Sequence, residues 1–141
     1  MASKTTASKK MIITSGKRKT SIARATVHPG TGIVRVDSIR LDCYQPKLAR
    51  LRIMEPLLIA GELASSVNID VSVHGGGISG RADAARLAVA RALVQYAGAK
   101  STLRQQYLDY DRSLLVADVR YKETAKPNDS KARAKRQKSY R

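Results

Sequence analysis

VNIDVSVHGGGISGRADAARLAVARALVQYA, residues 67–97, is the stretch from which the fold is read. Its opening alternates Ile69, Val71 and Val73 with Asp70 and Ser72, the period of two that a strand with one buried face requires. Residues 81–97 are rich in Ala and contain neither Gly nor Pro, which predicts a long helix. Ser79 stands where a capping side chain is useful, and Asp83 falls in the first turn, where an acid is favoured. Leu87, Ala90, Val94 and Ala97 share a stripe whose small members let the helix lie close on a sheet. A strand, a glycine-rich connection and a helix therefore form the centre of the domain.

Working outward, Ala23, Ala25 and Val27 alternate with Arg24, Thr26 and His28 as a second strand of the same kind. Pro29, Gly30, Thr31 and Gly32 make a turn, and Ile33, Val34, Arg35 and Val36 follow, so the two runs are expected to pair as a hairpin. After Pro46, the spacing of Leu48, Leu51, Met54, Leu57 and Leu58 fits an amphipathic helix that bends at Pro56 and stops before Gly61. On the C-terminal side, residues 102–109 read as a short helix and 114–119 as a last strand. Order is expected from residue 11. The division is a disordered basic extension over 1–10, a globular α+β domain over 11–119, and an extended basic tail over 120–141.

Gly75, Gly77 and Gly80 satisfy G-x-G-x-x-G between a strand and a helix, the setting of a dinucleotide-binding fingerprint. The acid that should close a second parallel strand about 20 residues later is missing, because Ala97, Gly98, Ala99 and Lys100 stand there. A P-loop fails as well, since no Lys-Ser or Lys-Thr pair follows the last glycine. Two uses remain for the run. It is a tight crossover, or the backbone N–H groups of Gly75, Gly76 and Gly77 at a helix N-terminus hold a phosphate.

Charge names the partner class. Lys and Arg total 27 against 11 Asp and Glu, a formal net charge of +16 in 141 residues. Eight of the cations lie in residues 1–36, which contain no acid, and six more lie in residues 130–141, again without an acid. So large a surplus calls for a polyanion, whose phosphates exchange their counterions for Lys and Arg. No apolar run approaches the ~20 residues of a membrane span, and no signal peptide is read at the N-terminus. Cys43 is the single cysteine and reads as a small buried hydrophobe; His28 and His74 have no second histidine at ligand spacing. Neither a metal nor a cofactor is expected. No Ser-His-Asp or Cys-His order stands out, so no catalytic residue is expected either; nucleic acid is the first candidate for the polyanion and an anionic membrane surface the second, with a packaging protein and a nucleotide-dependent enzyme among the classes to be weighed.

The stretch GGGISGRADAARLAVARAL, residues 75–93, closely resembles the signature of the ninth small-subunit ribosomal protein family, with Arg81 where that family usually has glutamine. Gly16, Lys17, Arg18, Lys19, Thr20, Ser21, Ile22, Ala23, Arg24 and Ala25 resemble the family's N-terminal basic segment, and residues 131–141 its basic ending in the archaeal and eukaryotic style. The resemblance implies a two-layer α+β fold: a mostly antiparallel sheet, helices packed on one side, and a left-handed βαβ crossover like that of the second domain of ribosomal protein S-five. It implies a cytoplasmic protein of the small-subunit head, bound to ribosomal RNA and to neighbouring head proteins, with no membrane and no small-molecule substrate. Lys17, Arg18, Lys19, Arg24, Arg81, Lys131, Arg133, Lys135 and Arg136 are the expected contacts to ribosomal RNA. Lys138, Tyr140 and Arg141 are expected on P-site transfer RNA. A tail of 22 residues at ~3.3 Å each spans about 70 Å when extended, far beyond the radius of its own domain.

Overall fold

The computed structural model describes residues 11–98, 101–127, 131–133 and 139–140, so the basic extension over 1–10 lies outside the described residues. The chain enters as β1 (Ile12–Arg18) and returns as β2 (Ser21–Pro29). Arg18 pairs with Ser21, which leaves Lys19 and Thr20 as a two-residue turn. Lys19 takes φ 51°, a left-handed value that Gly or Asn ordinarily supplies. A second hairpin joins β3 (Val34–Val36) to β4 (Ile39–Arg40) through Asp37 and Ser38, whose φ values of 49° and 70° meet the demand of a two-residue turn that both central residues be left-handed.

The expected hairpin between the strand ending near His28 and that beginning near Ile33 does not form. Instead β5 (Val67–His74) lies between them, antiparallel to β2 and parallel to β3, and the sheet runs β1-β2-β5-β3-β4. The connection expected to be a hairpin turn wraps the start of β5. Gly30 and Gly32 donate N–H to the carbonyls of Ser66 and Val67, while Thr31 and Ile33 donate to the Asn68 side-chain oxygen at 2.9 and 3.0 Å. With Val67, Ile69, Val71 and Val73 all buried, β5 is the centre of the core, and partners on both edges satisfy its backbone. Three of the four pairings are antiparallel, as expected.

Among the described residues four α-helices follow or interrupt the strands: α1 (Lys47–Ala60), α2 (Glu62–Ser65), α3 (Ile78–Ala97) and α4 (Leu103–Tyr110). α1 stops at Gly61 as expected, but it turns a different face inward. Ala49, Ile53 and Pro56 are buried, whereas Leu48 is 69% and Leu58 72% exposed. Because α3 already covers the sheet, α1 packs on α3, and the i, i+4, i+7 row through Ile53 meets it. Tyr107 of α4 is fully buried, and its hydroxyl donates to the carbonyl of Pro56 at 2.7 Å, which ties α4 to α1.

α3 starts three residues before the expected Arg81. Gly77 is its N-cap, and Ser79, expected as the cap, makes no capping bond. Nine of its residues are buried, because the sheet lies on one side and α1 and α4 on others. The closest approach uses Ala84 and Ala88, not the stripe through Ala90 and Val94. A Cβ on Gly16 of β1 would come within 2.2 Å of the Ala84 oxygen, and the Thr14 hydroxyl donates to the Ala88 carbonyl at 2.8 Å. The last expected strand, 114–119, is absent: Arg112–Leu114 is a 3-10 turn, and the extended chain after it joins no ladder. Among the described residues, no helix is long and apolar enough to cross a membrane.

Candidate nucleic-acid interface

Strand alternation divides the sheet chemically. Ser21, Ala23, Ala25 and Val27 of β2 point to the helix layer with the buried valines and isoleucine of β5. The helix-free face therefore carries Ile13, Ser15 and Lys17 of β1, Ile22, Arg24 and Thr26 of β2, Asp70, Ser72 and His74 of β5, and Arg35 of β3. Arg24 sits opposite Ser15 on one side and Ser72 on the other, exposed and without an ion-pair partner among the described residues. Lys19 is exposed at the tip of the β1–β2 hairpin. Lys17, Lys19 and Arg24, three of the expected RNA contacts, thus gather at one corner of an open face. Arg35 shares that face and was not expected there, although its place between two buried valines is a signal of alternation.

Most of the described acids lie beside arginines. Asp37 meets Arg81, Asp42 meets Arg40, Glu55 and Asp111 meet Arg86, Asp70 meets Arg35, Asp83 meets Arg18 and Arg52, Asp118 meets Arg18 and Arg120, and Glu123 meets Arg133. Among the described residues none of these pairs uses a lysine, so the lysines keep their charge for an external anion. Burial opposes ionisation of Asp111, but hydrogen bonds from the Ser113 side chain and backbone and from Arg86 outweigh it and hold the carboxyl below its usual range. Hydrogen bonds from the side chain and backbone of Arg120, with the charge of Arg18, hold Asp118 far below that range.

Two expected contacts are held by acids of the chain itself. Arg18 Nη1 lies 2.6 Å from Asp118 Oδ2, and only 21% of its side chain is exposed. Arg81 donates to Asp37 Oδ2 at 2.7 Å and to the Val73 carbonyl at 3.2 Å, while Asp37 Oδ1 accepts the Val73 N–H. The glycine run serves packing. Gly75 and Gly76 have φ 74° and 67°, a Cβ on Gly76 would meet Ser21 Oγ at 1.9 Å, and that hydroxyl donates to the Gly75 carbonyl. Gly77 has open space where a Cβ would stand.

Within residues 120–141, Lys131 and Arg133 are exposed, Arg133 forking onto Glu123, and Tyr140 is 87% exposed. Lys135, Arg136, Lys138 and Arg141 lie outside the described residues. Among the described residues, no three His, Cys, Asp or Glu side chains converge as metal ligands, and Cys43 is exposed rather than buried as expected.

A small α+β body that pairs most of its acids with arginines, carries a large surplus of cations and exposes Lys17, Lys19 and Arg24 at one corner of an open sheet face belongs to the class of basic structural proteins suited to a polyanionic surface. The sequence matches the family model described as Ribosomal protein S9/S16 over residues 16–141. It is 49% identical over 132 residues to Small ribosomal subunit protein uS9 of Methanothrix thermoacetophila, covering 94% of this chain and 99% of that protein. It is 46% identical over 134 residues to the protein of the same name in Methanococcus maripaludis, covering 94% of this chain and 99% of that one. The chain belongs to the ribosomal protein S9/S16 family, of archaeal type. That is a family of ribosomal structural proteins and not of enzymes.

Proposed function

We propose that this chain is a structural constituent of the head of the small ribosomal subunit, in the cytoplasm, that grips ribosomal RNA with its body and reaches P-site transfer RNA with its tail. The observation that supports the reading is the placement of charge. Most acids of the body are paired with arginines, while Lys19 and Arg24 on the hairpin and Lys131 in the tail are exposed without ion-pair partners among the described residues. Lys17, Lys19 and Arg24 contact ribosomal RNA from the open sheet face. Arg18 and Arg81, turned toward Asp118 and Asp37, add to the field of the body rather than to its contacts.

Lys131, Arg133, Lys135 and Arg136 bind ribosomal RNA along the tail, where the arginines fork onto phosphates and the lysines act as mobile point charges. Lys138, Tyr140 and Arg141 meet transfer RNA, Tyr140 by stacking on a base or ribose. Gly77 leaves room for a phosphate at the start of α3, beside the packed Gly75 and Gly76. The body over 11–119 takes the fold of the second domain of ribosomal protein S-five, with a left-handed crossover from β3 through α1 to β5, and abuts neighbouring head proteins. Sedimentation tests this reading. The native protein is expected to travel with small subunits through moderate salt; recovery only in free or DNA-bound fractions overturns it.

A further inference from the structure

Glu55, Asp83, Asp111 and Asp118 pair with four arginines, Arg18, Arg52, Arg86 and Arg120, in one depression beside the end of β1. Asp118 is the member from which the tail departs. One guanidinium, that of Arg18, reaches Asp118 Oδ2 at 2.6 Å and lies 3.8 Å from Asp83 of α3, so β1, α3 and the departing segment share a single cation. The Arg18 and Asp118 side chains are each only 21% exposed, which shields their attraction from solvent screening better than a surface pair.

Three residues past Asp118, the ring of Tyr121 lies under Lys17, whose Nζ is 5.3 Å from the ring centroid. Lys17 and Arg18 are neighbours on a strand, and their side chains leave opposite faces of the sheet. Contacts to both therefore place residues 118–121 astride the end of β1, passing from the helix layer to the open face. Upstream, Arg91 of α3 donates to the carbonyls of Leu115 at 3.0 Å and Ser15 at 2.9 Å, which fixes the approach to that crossing.

We infer that Arg18 is a positioning residue: through Asp118 it fixes where the basic tail leaves the body and directs it onto the open face of the sheet. An extended cationic chain leaving a body of the same sign is repelled by it, and an acid held at the point of exit reverses that repulsion locally. The assignment separates Arg18 from Lys17 and Lys19, which it otherwise matches in charge and place, and it holds whatever the far end of the tail binds.

The full chain supplies its own reporter site, since Cys43 is its single cysteine and is exposed. With spin labels at Cys43 and at Ala125→Cys, double electron–electron resonance is expected to give one narrow distance distribution. Arg18→Gln or Asp118→Asn should broaden it at least twofold. The double variant should broaden it by less than the sum of the two singles, because the Arg18–Asp118 contact is lost in each while Arg120–Asp118 and Arg18–Asp83 are lost in one only, and Lys19→Gln should leave the width unchanged. Circular dichroism verifies the fold of each variant, and Asp118→Asn, outside every helix and strand, carries the test if Arg18→Gln misfolds. A native distribution as broad as that of the variants, or equal broadening by Lys19→Gln, overturns the inference.

Discussion

At Gly16 the backbone of β1 passes so close to α3 that the smallest side chain has no room: its Cβ would overlap the Ala84 carbonyl and the Ala88 nitrogen, neither of which can move without moving the helix. Gly16→Ala is therefore expected to cost about 2–3 kcal/mol, the range of overpacking in a rigid core, in urea denaturation. Gly77→Ser, at an N-cap with open space, should change stability by less than about 0.5 kcal/mol. Only part of this was legible. The run at Gly75 and Gly76 announces itself as a turn, whereas Gly16 has no left-handed φ, and its constraint comes from a helix some seventy residues away in sequence. The same limit applied to Arg81, whose partner Asp37 lies in another hairpin.

Among the elements, β5 and α3 were legible because their periods are long and clean, and neither Gly nor Pro interrupts the helix from Arg81 onward. Strand order was not legible. It is decided by which distant strand satisfies a buried edge, and the β1–β2 turn at Lys19 lacks the Gly or Asn that marks a hairpin. The face of α1 misled for a related reason: its leucines are the larger apolar residues, yet Ile53 and Ala49 are the ones that meet α3. Ile53→Ala should cost about 3 kcal/mol in thermal or urea unfolding, and Leu48→Ala less than about 0.5 kcal/mol. The segment after α4 adds a dependence on pH. Asp111 and Asp118 have carboxyls held below their usual value of 3.8, so their contribution to stability is complete above that value and is lost as pH falls through the lowered ones. Carbon NMR of the carboxyls is expected to find both more than half ionised at pH 3.8, where the same groups in the unfolded chain are half protonated.

For the whole molecule, the proposed division between body and tail makes two separable demands on the charges. A body that pairs most of its acids with arginines keeps its fold at any ionic strength that leaves its core intact, while an arm of lysines and arginines binds phosphates by counterion exchange and weakens steeply with salt. Removing residues 138–141 takes away Lys138, Tyr140 and Arg141 and shifts the terminal carboxylate to Gln137, but leaves the body contacts untouched. Subunits carrying the truncated chain are expected to assemble normally and to bind P-site transfer RNA on the order of tenfold more weakly, a loss of about 1.4 kcal/mol. Two phosphate contacts should also disappear from the salt dependence, flattening the log–log slope by roughly 1.4–1.8. Filter binding of transfer RNA to purified subunits across a salt series measures both quantities. Unchanged affinity with an unchanged slope means that the last four residues touch no transfer RNA; a slope altered in assembly rather than in transfer RNA binding places their contacts on ribosomal RNA.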